Sequence, residues 1–142
     1  MRLPLIHLLA RARFWWCLFV LWAVGITVLS SLSALPVPPL HSKFLEIDKL
    51  VHAAAYCVGA LFLTLAVWLQ SGWSRFMSGW VSLYGMFVYG VLDEMHQTFV
   101  PHRTGLDAGD LAADVIGAGI GVALILLLYG GIQPRPSDPA QR

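Results

Sequence analysis

Four long apolar runs constrain this chain more than any other feature: Phe14 to Leu32, Lys49 to Leu69, Phe76 to Asp93 and Leu111 to Tyr129. Each is close to the roughly 20 residues that cross a hydrocarbon core. A backbone in lipid has no water to satisfy its N–H and C=O groups, so a spanning segment is a helix or part of a closed barrel. Barrel strands alternate apolar and polar residues, and these runs do not. The expected fold is therefore all-α, a polytopic membrane protein built as an antiparallel bundle of four transmembrane helices with both termini cytoplasmic. Composition decides the class at one point: 12% of the 142 residues are charged, half of the roughly 25% in an average chain. That excludes a disordered chain, a basic nucleic-acid-binding face and an ordinary water-soluble enzyme. The net charge of +1 names no polyanionic partner. Cys17 and Cys57 lie inside apolar runs; they are too few for a disulfide framework and read as small core residues.

The connections are short. Ser33 to Asp48 holds Pro36, Pro38 and Pro39, Gln70 to Arg75 is a tight turn, and Glu94 to Asp110 holds Pro101 and Gly105. Short loops make sequence neighbours antiparallel. Residues 1–132 read as a single domain without internal repeats, and 133–142, with Pro134, Pro136 and Pro139, as a flexible polar tail. Positive charge sets the orientation. With the N-terminus inside, Arg2, Arg11, Arg13, Arg75, Arg135 and Arg142 are cytoplasmic, against Lys43, Lys49 and Arg103 outside. The acids show the converse: Glu46, Asp48, Asp93, Glu94, Asp107 and Asp110 fall at the outer ends, with Asp114 one turn deeper. A competing reading makes Arg11 to Ala34 a cleavable signal, ending in Ser31-Leu32-Ser33-Ala34. Its apolar run is longer than the usual 7–15 or so residues of such a core and holds the bulky Trp15, Trp16 and Trp22. Cleavage would leave three spans with the same orientation.

Chemistry enters where polar residues interrupt the runs. The second helix opens with Asp48-Lys49-x-x-His52-x-x-x-Tyr56. At about 100° per residue, His52, Tyr56 and Lys49 fall within about 100° of Asp48, on one face. With about 1.5 Å rise per residue, the stripe descends roughly 12 Å from the interface into the bilayer. The third helix closes with Asp93-Glu94-x-x-Gln97, and residues three apart are neighbours on a helix. After Pro101 and Arg103, the fourth opens with Asp107, Asp110 and Asp114, again on one face, which Gly117 and Gly121 continue. Ala113, Gly117 and Gly121 form a small-xxx-small series that admits a close neighbouring helix. The polar stripes of three helices are thus expected to converge on one outer pocket.

The same residues carry a resemblance. Asp48-Lys49-x-x-His52-x-x-x-Tyr56, Glu94-x-x-Gln97, Arg103, and Asp110 followed by Gly117-x-x-x-Gly121 resemble the VanZ-like membrane protein family, most clearly over residues 45–122. One departure is Asp114, where the family pattern leads one to expect Asn. The resemblance implies a small polytopic protein of the bacterial cytoplasmic membrane, in a family named for a member associated with resistance to the glycopeptide teicoplanin. It also implies an envelope or lipid-linked role on the outer face, without a defined reaction.

Plainer roles compete for several of these residues. Asp48 and Asp107 each stand near an expected helix start, where a carboxylate caps free N–H groups. Asp93, at a helix end, reads as solvated, as do His96 and His102; His7 and His41 carry no signal. His52 could join helices by a hydrogen bond worth about 0.6 kcal/mol, Tyr56 could belong to an aromatic belt, and the tryptophans read as interfacial anchors or packing. Against this, ionisable groups inside spans cost roughly 2.5–3.5 kcal/mol and tend to mark function, which applies to His52 and Asp114.

The expected pocket sets Asp48, Glu94, Asp110 and Asp114 against the fixed cations Lys49 and Arg103. Like charges repel strongly at low dielectric, so either some acids hold protons or a cation sits among them. A divalent cation held by Asp48, Glu94, Asp110 and Asp114 is the cofactor this pattern admits. Three readings follow. In the first, Asp48, Lys49, Gln97, Arg103, Asp110 and Asp114 bind a phosphorylated lipid, His52 and Glu94 act as acid and base, and Tyr56 or water is the nucleophile. In the second, the same charges bind an envelope precursor, an antibiotic or a partner protein without turnover. In the third, they only fix helix register. The partner is expected to be a membrane lipid or lipid-linked envelope precursor, with room for a homo- or hetero-oligomer and none for nucleic acid.

Overall fold

A computed structural model of the chain describes residues 11–32, 43–103 and 105–129. The N-terminal segment with Arg2 and His7, the connection holding Ala34, Pro36, Pro38, Pro39 and His41, and the polar tail 133–142 lie outside the described residues. Among the described residues four helices form: α1 Ala12–Ser31, α2 Lys43–Ser71, α3 Arg75–Gln97 and α4 Ala108–Leu128. Three of the described segments, Ala12–Ser31, Ile47–Ser71 and Ala108–Leu128, are long and apolar enough to cross a membrane. The all-helical expectation holds, with one boundary moved. Helix α2 starts at Lys43, upstream of the expected start, so Asp48 lies more than a turn inside the helix and is not its cap.

Local chemistry explains the other ends. Gly72, at φ 68°, takes the left-handed conformation that closes α2. The Ser74 hydroxyl accepts from the Met77 N–H at 3.2 Å and caps α3. Asp107 caps α4, its Oδ1 accepting from the N–H groups of Gly109 at 2.6 Å and Asp110 at 3.3 Å. At the other end of α4, Arg75 donates to the Tyr129 carbonyl, tying the start of α3 to the helix it packs against.

Small residues set how closely the helices approach. A Cβ on Gly117 would run into the Ala53 carbonyl, and one on Gly121 into the Cys57 carbonyl. Helices α2 and α4 therefore touch backbone to backbone along the Ala113, Gly117, Gly121 face. Their pairings step in the same direction, Lys49 with Asp110, then Ala53 with Gly117 and Cys57 with Gly121, which brings the first turn of α4 beside the second turn of α2. Tyr56, Ala60, Leu63, Met86, Ala118 and Val122 form the core at the centre, and Leu65, Trp68 and Ile125 a second cluster beyond it. Helix α1 covers this core with aromatic rings. Trp22 lies 5.5 Å from Tyr56 and 5.3 Å from Tyr89, centroid to centroid, and donates through Nε1 to the Ala55 carbonyl at 2.9 Å.

Helix α3 faces its neighbours with Ser78, Gly79, Ser82, Met86, Gly90, Asp93, Glu94 and Gln97. Its large apolar side chains, Phe76, Trp80, Tyr84, Phe87 and Leu92 among them, point outward. Polar inside and apolar outside is the reverse of a water-soluble helix and the arrangement a helix takes when its surroundings are lipid.

Candidate functional site

The ionisable residues gather at the end of the bundle where α2 and α4 begin and α1 and α3 finish. Helical spacing aligns Asp48, His52 and Tyr56 on α2. The backbone contact of α2 with α4 then sets Asp110 and Asp114 beside them. Lys49 donates through Nζ to Asp110 Oδ1 at 2.7 Å and lies 3.6 Å from Asp107 Oδ1. One turn deeper, His52 Nδ1 is 3.0 Å from Asp114 Oδ1. Asp114 is 2% exposed, and its second oxygen, Oδ2, has no hydrogen-bond partner among the described residues. Tyr56, on the next turn, is equally buried with an unpartnered hydroxyl.

Glu94 sits where α3 hands over to α4. Its Oε2 accepts from the Asp107 N–H at 2.8 Å, and its carbonyl from the Leu106 N–H at 3.4 Å. The connecting loop folds tightly back on α3. A Cβ on Gly105 would strike Thr98 and the Glu94 carbonyl, and His102 and Leu106 hold positive φ, so glycine is needed at the point of closest return. Asp107 is held in its charged form at the head of α4. The N–H of Gly109 does most to keep its carboxyl below the usual range; burial opposes it next, and the N–H of Asp110 and the ammonium of Lys49 add to the lowering.

Asp93 departs from its expected place in solvent. It is buried, and its Oδ2 accepts from Ser30 Oγ at 2.9 Å and from Gln97 Nε2 at 3.0 Å. Helix α1 thereby joins the site, which the stripes of α2, α3 and α4 alone did not foreshadow. Asp93 and Gln97 stand four apart and share a helix face, a spacing that could have placed Asp93 in the site, whereas nothing in the apolar run around Ser30 pointed to α1. Arg103 closes the same side, donating through Nε to the Leu32 carbonyl at 3.2 Å and through Nη2 to the Leu29 carbonyl at 3.1 Å. His96 and His102 are exposed, as expected; His96 Nε2 lies 3.0 Å from Ser31 Oγ.

A pocket of about 170 Å³ opens between these elements. Ile26, Leu29, Val51 and Ala55 line one part of it; Ser30, Asp48, His52, Tyr56, Asp93, Gln97 and Arg103 line the rest. Of the residues singled out from sequence, Asp48, His52, Tyr56, Gln97 and Arg103 thus border the pocket. Lys49, Asp110, Asp114 and Glu94 stand behind it, each engaged with a neighbour. Among these groups, Asp48, His52 and Asp110 each offer one ligand atom within 4.8 Å of the others. This grouping draws in His52 and leaves Asp114 as the support behind it.

No curated protein and no solved structure matches the chain. A family model, VanZ/LLP1, matches residues 15–129. That stretch contains every residue of the site and the greater part of the chain, so the protein belongs to the VanZ/LLP1 family.

Proposed function

We propose that this protein binds, and acts on, a phosphorylated or lipid-linked component of the cell envelope in an outward-facing pocket, held in the cytoplasmic membrane by four spans with both termini inside. One observation carries the reading: the pocket is amphipathic. Its apolar lining, Ile26, Leu29, Val51 and Ala55, suits an acyl or prenyl chain, and its polar lining suits a headgroup. Leu29 and Val51 are also exposed on the outside of the bundle, so a lipid can enter from the side. Arg103 is the phosphate anchor. Two of its N–H groups hold the Leu29 and Leu32 carbonyls and fix the plane of the guanidinium; the remaining donors serve the ligand. His52, at the pocket wall with its Nδ1 directed to Asp114, is the group placed to move a proton. Lys49 supports the site through Asp110 and Asp107 and stays outside the pocket lining.

A second reading has its own support. Lys49 with Asp110, Asp93 with Ser30 and Gln97, and Glu94 with the Asp107 N–H are all engaged within the fold, as groups that only fix helix packing would be. Envelope-lipid mass spectrometry on cells lacking the protein separates the two. The comparison is complementation by wild type and by His52→Gln at equal membrane abundance. Glutamine keeps a hydrogen-bonding group beside Asp114 but cannot move a proton. The lipid reading expects a phosphorylated lipid to change in the null and only wild type to restore it. Unchanged lipids throughout, or function that follows protein abundance alone, support the packing role.

A further inference from the structure

The charge around Asp110 does not balance. Asp48, Asp93, Glu94, Asp107, Asp110 and Asp114 crowd one end of the bundle, and four of them, Asp93, Glu94, Asp110 and Asp114, are buried. Lys49 answers Asp110 and Asp107. Arg103, the other fixed cation there, donates to backbone carbonyls. Excess negative charge at low dielectric calls for a further cation or for protons.

We propose that Asp48, His52 and Asp110 form a binding site for a divalent transition-metal ion, with Asp114 holding the His52 ring in place. Two carboxylates and one imidazole converge from α2 and α4, their ligand atoms within 4.8 Å of one another. Around a single ion, with bonds of about 2.0–2.2 Å, such atoms stand roughly 3–4.2 Å apart. The adjustment falls to Asp48, an exposed side chain free to turn. Asp110 has two oxygens: Oδ1 holds Lys49 at 2.7 Å, and the second serves the ion.

Asp114 is the independent observation that points to a metal. It is 2% exposed, and its carboxylate is directed at the histidine of the cluster, 3.0 Å from Nδ1. A buried carboxylate on one ring nitrogen fixes the imidazole orientation and raises the basicity of the other nitrogen. That is the arrangement found behind metal-bound histidines. Mixed imidazole and carboxylate donors favour Zn²⁺ or Mn²⁺ over Ca²⁺, which takes oxygen alone. The site shares Asp48 and His52 with the pocket, and an ion there occupies the ring nitrogen that His52 would otherwise use to move a proton; its binding is nonetheless tested on its own, because an ion can bind here with no lipid present.

The test is titration of the full chain, purified in detergent and stripped with chelator, with Zn²⁺ and with Mn²⁺ by calorimetry, alongside melting curves. The expected result is saturable binding near one equivalent and a raised Tm, since a ligand of the folded state stabilises it. Asp48→Asn, at an exposed position that does not disturb folding, should lose that binding and the Tm shift. Asp114→Asn should weaken affinity by about 10- to 100-fold, and Lys49→Met, which frees Asp110, should leave binding intact or tighten it. Absence of saturable binding to wild type overturns the site, as does wild-type affinity in Asp48→Asn; neither result touches the lipid reading.

Discussion

Asp93 shows how a single side chain joins two parts of this protein. Its Oδ2 receives Ser30 from α1 and Gln97 from its own helix, and Gln97 is itself 3% exposed. Truncation to alanine leaves that amide without its acceptor, and a buried polar group so stranded costs about 1–3 kcal/mol. Asp93→Ala should therefore destabilise the folded protein by that order in denaturant titrations in mixed micelles. Ser30→Ala should cost less alone, and nothing further in the Asp93→Ala background. The resulting coupling, of the 0.5–3 kcal/mol or so seen for contacting residues, isolates the contact between α1 and α3. Strict additivity of the two substitutions would mean that this hydrogen bond does not hold α1 in place.

At the scale of the element, legibility in the sequence depended on whether a signal was periodic. The stripe Asp48, His52, Tyr56 was readable because residues on one helix keep their relative angles whatever the helix packs against. The Ala113, Gly117, Gly121 face was readable for the same reason, and it meets α2. What periodicity could not supply was register between helices. Ser30 becomes a site residue only because α1 ends level with Asp93, and Arg103 docks on α1 carbonyls through a loop with no regular spacing. Asp48 looked like a cap because the proline-containing stretch from Ser33 up to it reads as a connection, yet the helix already begins at Lys43. The glycines of α4 give a paired test. Gly117→Ala places a methyl against the Ala53 backbone, which has no freedom to yield, whereas a Cβ on Gly119 meets nothing within 4 Å. Gly117→Ala is expected to cost about 1–3 kcal/mol or more as an overpacked contact. Gly119→Ala should be neutral or stabilising by up to about 1 kcal/mol through helix propensity. Unfolding in mixed micelles measures both, and equal effects at the two positions would remove the backbone contact as the feature that sets α2 against α4.

On the whole-molecule scale the open contest is over α3, whose mean apolarity is diluted by the polar side chains it turns inward. Its outward face argues for lipid. Trp80 and Tyr84 are each 70% exposed and are flanked by Phe76, Phe87 and Leu92, a longer apolar band than soluble monomers usually present to water. In lipid the same face is matched to its surroundings, and the inward Ser78, Ser82, Asp93, Glu94 and Gln97 stay with the protein. Helix α3 should then cross the bilayer and place the turn at 71–74 and the loop holding Pro101 on opposite sides. With Cys17→Ser and Cys57→Ala as background, a single cysteine at either place reports its side through a maleimide that cannot cross membranes. Pro101→Cys should label in right-side-out vesicles and Trp73→Cys in inverted ones, as the distribution of arginines requires. Labelling of both from one side would mean that α3 lies along the membrane; the reverse pattern would turn the pocket toward the cytoplasm, away from the lipids it is proposed to meet.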